Sequence, residues 1–571
     1  MNMTHPLLRR ALLALLLCTL AIEVRAQPVV ETPADATLAD GLCSLREAIA
    51  NISAGSQVHA DCAVGSVIAF DATVFPVGSV TPIALGAPLV LNPTGGPALI
   101  ILDGDGRVAL DGQEQQRVLD VLLPVAYELR LFDLVVRNGR APDGQDGGGL
   151  YVRRGSVVLA GTRFEHNTAV GGTPQSGFSD GAAIFAIQGA VIIDDSVITG
   201  SVGRSAVMVD ATASLTVRGS QVVDNEGVGL SGGVDLSDSV VARNTGAGVR
   251  GASSIFRSRI AANGGAGIDG GGNLIVERSL IDGNQNGGIV GLGSNSVLIR
   301  NSTISGNVGR NDTDGSARPG GIQLKFGTSL EIVQSTIWNN TVEHPAPRGA
   351  SLQVLSAAIP VSSVHIRNSL IGDPHGSGNC YVNLPALVSI QDDGGNWQNG
   401  DTGCFATATL GGDAMVSPLQ PGVGNELLHH VPLPGSPLVD AAACPPLSPG
   451  LLRDQRNVPR PQGALCDIGA VELRRATLAL TVSGSGHASA TATAWSGGVS
   501  ACGSAGGASC SGVYGEGPVT LQVEPGHAAS WGGDCAAAGT STQATVTLET
   551  ARNCSVATTP GSDDLFANGF E

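Results

Sequence analysis

The stretch "VLIRNSTISGN", residues 297 to 307, sets Ile299 three residues before Ser302 and Ile304 two residues after it, and ends on an asparagine. The same order stands upstream in "LIVERSLIDGN" (274–284) and downstream in "LEIVQSTIWNN" (330–340). Period-two alternation marks a strand with one buried face. Here it predicts a strand, a corner, a second short strand and another corner. Aligning the central hydroxyl residues gives nine anchors, Thr162, Ser196, Ser220, Ser239, Ser258, Ser279, Ser302, Ser335 and Ser369, separated by 34, 24, 19, 19, 21, 23, 33 and 34 residues. Five residues after seven of them comes an asparagine, at Asn167, Asn225, Asn244, Asn263, Asn284, Asn307 and Asn340. Asp133 and Asn138 mark one earlier rung at the same spacing.

Such a repeat describes the coils of a parallel β-helix, in which inward Val, Ile and Leu rows bury a continuous core and stacked asparagines tolerate a left-handed bend and bond to the next coil. A core of that kind needs few rings, and only 3% of the residues are aromatic. Propeller blades need about 40 to 45 residues each, and a leucine-rich repeat needs a Leu lattice that is missing.

The chain opens with Arg9 and Arg10 before an apolar run from Ala11 to Ile22 and small residues at Val24 and Ala26, which reads as a signal peptide over 1–26. The run is shorter than a membrane span, so no transmembrane segment is expected. Without those residues 28 basic side chains face 48 acidic ones, and Lys325 is the single lysine. This acidity argues against nucleic acid or anionic membranes as partners. Ten cysteines remain and fall as sequence neighbours: Cys43 with Cys62, Cys380 with Cys404, Cys444 with Cys466, Cys502 with Cys510, and Cys535 with Cys554. In an exported protein these read as local disulfides, with connectivity open; zinc is the rival, and no Cys-x-x-Cys pair supports it.

An open coil stack exposes an apolar end and an unpaired edge. "GLCSLREAIANISAG" (41–55) suits a plug for it. Ser44 and Glu47 form a capping box, and Leu45, Ala48, Ile49 and Ile52 share one helical face. For Arg46 and Glu47 the expectation is therefore a cap and surface charge rather than a catalytic pair.

"ADGLCSLREAIA" (39–50) also resembles the signature of the CSLREA-domain proteins, and "SPLVDAAAC" followed by "DQRNVPRPQGALCDIGAVE" (454–472) is similar to the end of the choice-of-anchor Q family. These resemblances imply an exported bacterial right-handed parallel β-helix spanning about residues 37 to 472, and they imply no reaction. The expected organisation is a signal peptide (1–26), an N-terminal cap (27–70), the β-helix (71–472), a disulfide-containing β-sandwich-like domain (473–559) with Trp531 in its core, and a tail (560–571) ending "DDLFANGFE". The fold class is all-β.

The catalytic pieces are weak. Asp194-Asp195, "NDTDG" (311–315) and His375-Gly376 imitate polygalacturonase elements in the wrong order. "LDGDGRVALDGQ" (102–113) imitates a calcium loop, but Arg107 takes a ligand position. No cofactor is expected; calcium is left open. Charged residues one and two before the anchors, Asp194, Asp195, Arg218, Asp238, Arg257, Glu277, Arg278, Arg300 and Arg367, are expected to pair from coil to coil. The sharper alternative makes Asp194, Asp195 and Glu277 the acid, base or metal ligands of a polysaccharide lyase or glycoside hydrolase. Loops at 141–149, 168–181, 308–321 and 341–350 leave after the Asn corner and suggest a saddle for an extended polymer. Trp338, expected to face outward, is the candidate sugar platform, with cover for the adjacent Pro-rich loop as its plainer role. The preferred reading is a non-enzymatic exported or surface protein that binds extracellular polysaccharide or cell surfaces.

Overall fold

The computed structural model describes residues 27–561 except 171–179, 294–295, 313–314, 358–361, 389, 400–402, 406–409, 423, 425, 434, 445–450, 493, 495 and 504–506. The signal peptide, the tail from 562 onward, most of the 168–181 loop and part of "NDTDG" lie outside the described residues. The chain divides into two compact units, Met1–Gly233 and Val234–Glu571, a division inside the coil region rather than at its end.

In the first unit, helix α1 (Leu45–Ala54) starts at Ser44, whose hydroxyl accepts from the Glu47 N–H while Glu47 Oε2 accepts from the Ser44 N–H. It ends at Gly55 in the left-handed conformation. Its buried face, Leu45, Ala48, Ile49 and Ile52, packs toward strands Val29–Val30 and Leu89–Leu91. A disulfide joins Cys43 to Cys62, and Arg46 grips both oxygens of Asp35 at 2.7 and 2.8 Å while donating to the carbonyls of Ala87 and Pro88. Both charged residues of the 41–55 stretch, Arg46 and Glu47, are thus occupied in holding the helix.

Beyond it the strands stack in parallel on three faces. Leu150–Arg154 pairs with Ile184–Asp194, Ser156–Ala160 pairs with the later part of that same strand, and Arg163–Glu165 pairs with Val197–Thr199 and then Gln221–Val223. The calcium-like stretch lies almost wholly in strand Leu99–Asp111, where buried Arg107 donates to the carbonyls of Phe75 and Phe70. The second unit repeats the arrangement, for example in Leu274–Glu277, Ser296–Arg300, Ser329–Val333 and Ser363–Arg367 on one face. The molecule is all-β in class, and its coils form a parallel β-helix.

Two hydrogen-bond ladders run along the coils. At the anchors, each backbone N–H donates to the hydroxyl one coil on: Thr162 to Ser196, Ser196 to Ser220, and in the second unit Ser239 to Ser258, Ser279, Ser302, Ser335 and Ser369 in turn. At the asparagines the same relation holds from Asn244 through Asn263, Asn284 and Asn307 to Asn340, at 3.0 to 3.1 Å. Gly139 donates to Asn167, and Ser201, standing where an asparagine is missing, donates to Asn225.

The asparagines do not themselves take the left-handed bend. The bent residue is the one before each rung: Asp195, Asp238, Arg257, Arg278, Asn301, Gln334 and Asn368 before the hydroxyls, and His166, Asp224, Arg243, Ala262 and Asn339 before the asparagines, all with φ between 45° and 58°. A positive φ turns the chain sharply and aims the next side chain along the stack. Asp133 and Asn138, with φ of 46° and 52°, are such corners, so the early rung lies one residue later, at Leu134 and Gly139.

After the coils, Arg475–Gly484, Ser496–Gly497, Ala508–Gly515, His527–Gly533 and Arg552–Pro560 form a five-stranded sheet, and Ala488–Ala490, Gly517–Val523 and Gln543–Leu548 a three-stranded one. Leu478, Leu480, Tyr514, Val519, Leu521 and Trp531 fill the core of this region, and the Trp531 indole N–H donates to the Ser541 carbonyl.

The cysteine connectivity that spacing left open is the sequential one. Cys380 is bonded to Cys404 and Cys444 to Cys466, both before the two terminal sheets. Within those sheets Cys502 is bonded to Cys510 and Cys535 to Cys554. With Cys43 and Cys62 these make five local loops, the longest closing over a sequence separation of 24 residues.

Candidate functional site

The three carboxylates singled out from the sequence lie at strand ends and corners of the coils. Asp194 closes strand Ile184–Asp194, with Arg218 of the next coil 4.0 Å away, and Asp195 forms the corner that follows. Glu277, in the second unit, is held by Arg300 through Nε at 2.9 Å and Nη2 at 2.6 Å. Arg257 instead donates to both oxygens of Asp238, at 2.7 and 2.6 Å.

A different set of residues meets in a cleft of the second unit. On one face of the coils, outward-facing Asp282, Ser305, Trp338 and Gly372 are in register on successive strands, between core residues Ile281, Ile304, Ile337 and Ile371. Described residues between 413 and 473 fold back over this face. Gln455 accepts from the Thr303 hydroxyl, the Ala470 N–H donates to the Thr336 hydroxyl, the Asn368 amide donates to the Ala443 carbonyl, and His430 Nε2 meets Ser305 Oγ at 2.8 Å.

The covering segment is locked by buried charge. Arg460 donates to the Glu472 carboxylate and to the carbonyls of Asp467 and Gly469. Arg456 binds Asp454, both oxygens of Glu516 at 2.7 Å, and the Glu472 carbonyl. Apart from Glu516, these are the charged residues of the "DQRNVPRPQGALCDIGAVE" stretch. Burial, reinforced by nearby Glu472, pushes the Asp467 carboxyl up to about 7. Burial also acts to raise Glu516, but the hydrogen bonds and charge of Arg456 outweigh it and hold that carboxyl below its ordinary value.

Trp338 is accordingly not an exposed platform. It is 8% exposed and packs with Leu370, Ala414, Leu438, Ala442 and Ile468, so its cover is the returning segment rather than the Pro-rich loop at 341–350. Gly372 makes room for it, since a Cβ there would stand 2.4 Å from the indole Cζ3. The ring contributes only part of one wall of a cleft of about 550 Å³, which also includes Asp282, Ser305, Asp373, Asn399, Asp413 and His430.

Asp282 is bound by Arg259 at 2.9 and 2.7 Å, which leaves Asp373 and Asp413 to give the cleft an acidic character. His430 is held neutral by burial, which lowers its basicity. Sequence patterning singled out Trp338 alone of this set; Asp282 and Ser305 hold the same place in the repeat, whereas Asp413 and His430 come from outside it. Among the described residues, no group of three or more His, Cys, Asp or Glu side chains is arranged to hold a metal ion. Nor does any described helix have the length and apolarity to cross a membrane.

A family profile described as "Right handed beta helix region" matches residues 231–389. Among solved structures, the periplasmic alginate epimerase AlgG is similar at 12% identity over 53% of this chain and 77% of that one, with a TM-score of 0.34. The pectate lyase Pel9A is similar at 13% identity over 79% of this chain and 97% of that one, with a TM-score of 0.32. No curated protein matches the chain.

Proposed function

We propose that this is an exported β-helical protein that binds an extended, uncharged or amino-sugar polymer on the face bearing the acidic cleft, without cutting the polymer backbone. The observation that carries this reading is the cleft itself, bordered by Ser305, Asn339 and Asn399, with Asp373 and Asp413 setting its charge. Carboxylate walls repel polyuronates and favour neutral or cationic sugars. Local disulfides suit an oxidising compartment, in keeping with the signal-like N-terminus and the resemblance to CSLREA-domain and choice-of-anchor Q proteins. In this reading helix α1 is the lid of the stack, and the 454–472 motif is the lock that holds the covering segment in place.

The test is binding and cleavage of a panel containing neutral glucans, acetylated xylan, chitosan oligomers and polyuronates, with release of reducing and unsaturated ends recorded together. Binding of the neutral or amino-sugar polymers with no new chain ends is expected, and Asp373→Asn with Asp413→Asn should weaken chitosan binding most. Chain cleavage lost on replacing Asp194, Asp195 and Glu277 would instead establish the lyase or hydrolase alternative.

A further inference from the structure

The contact between Ser305 and His430 has the polarity of a nucleophile and its base. His430 Nδ1 lies 2.8 Å from the Ser417 carbonyl oxygen, which can only accept, so Nδ1 carries the ring proton. Nε2 is then a bare lone pair, and the Ser305 hydroxyl 2.8 Å away donates to it. A hydroxyl donating to a neutral imidazole whose far nitrogen is oriented by a third group is the arrangement that activates serine for attack on an acyl carbon. Burial keeps that imidazole unprotonated, as a base requires.

The position of the pair supports the assignment. Ser305 occupies the row between Asp282 and Trp338, and both it and His430 border the cleft while almost fully buried, at 2% and 6% exposure. Asn339 and Asn399 border the same space.

From this geometry we infer that Ser305 and His430 form an acyl-transfer site that hydrolyses esters on a neutral or amino-sugar polymer. Ser305 Oγ bonds to the acyl carbon as its proton passes to His430 Nε2. The C–O bond to the sugar breaks, and the sugar oxygen takes that proton. Water, deprotonated by the same nitrogen, then releases the acid and restores the serine. No metal or redox partner enters the balance. The inference goes beyond polymer binding and rests on that reading only for its choice of substrate.

The experiment treats the full mature chain with a fluorophosphonate, which reports an activated serine without any polymer, and locates the adduct by peptide mass spectrometry. Hydrolysis of p-nitrophenyl acetate and release of acetate from acetylated xylan are measured alongside. The adduct is expected on Ser305, with Ser305→Ala abolishing both hydrolyses and His430→Gln slowing them by about a hundredfold or more. If the wild-type chain, checked as folded by its melting transition, takes no label at Ser305 and releases no more acetate than Ser305→Ala, the inference is overturned and the contact only pins the covering segment. Because wild-type labelling is read directly, a variant that misfolds leaves the result decided. Labelling at Ser305 without acetate release from xylan keeps the acyl-transfer site and overturns the substrate, and it leaves the binding proposal to its own panel.

Discussion

Asn263 Oδ1 accepts two hydrogen bonds from Asn244, one from its backbone N–H at 3.1 Å and one from its side-chain amide at 3.0 Å. Its own amide donates to the Val241 carbonyl and to Asn284 Oδ1. One side chain therefore satisfies buried groups on the coils before and after it. Asn263→Ala should cost about 1 to 3 kcal/mol, since buried donors and acceptors lose their partners. Urea denaturation checks this, and an unchanged midpoint would remove the ladder's structural role.

The charge rows should matter far less. Asp238 and Arg257 are close and two-pronged, yet both side chains are more than two-fifths exposed. Solvent screens such a pair, so Asp238→Asn, which keeps a residue suited to the left-handed corner, should change stability by about 1 kcal/mol or less, and less again in high salt. A thermal melt at two ionic strengths distinguishes this from a carboxylate that is essential to the fold.

Packing around Trp338 sets a sharper expectation. With a Cβ at residue 372 standing 2.4 Å from the indole, Gly372→Ala forces the ring or the covering segment to shift. Overpacking of this kind costs about 1 to 3 kcal/mol. Limited proteolysis of the 413–473 region, read against the melting temperature, should show whether the segment loosens before the coils do.

Asp467 links the covering segment to pH. Its carboxyl, raised to about 7 from an ordinary 3.8, keeps its proton in the folded chain at pH values where the unfolded chain has lost it. The folded state thus holds more protons between these values, so stability falls as pH rises through that window and is lowest, for this group, above about 7. The slope reaches at most about 1.4 kcal/mol per pH unit. Melting from pH 5 to 8 should show it, and Asp467→Asn should flatten the profile whatever it does to the absolute midpoint.

The helix at the start of the chain gives a prediction about solubility. Leu45 and Ile49 are almost fully buried against the first strands. Replacing both with Asp should strip the apolar end of its cover, lowering soluble yield and promoting association seen by size-exclusion chromatography. Unaltered yield and melting would show that the helix is not a lid.

The coil fold was legible in the sequence because each coil repeats one short arrangement. Inward rows such as Val276, Ile299 and Ile332 keep one side-chain period, and the Ser and Asn rungs recur with them. The capping box was equally legible, since Ser44 and Glu47 meet within a single helical turn. Which residue takes the left-handed bend was not, because a strained corner and the rung beside it are neighbours, and composition favours Asn for both. The cleft lay further out of reach. Ser305 and His430 are 125 residues apart, and the Thr303 contact with Gln455 spans 152. Nothing periodic joins such pairs. Alternation along a strand determined that Ser305 and Trp338 would face away from the core. Only the return of residues 413–473, held by buried Arg456 and Arg460, decided that this outward face would be covered, that Trp338 would become packing, and that a serine and a histidine would meet there.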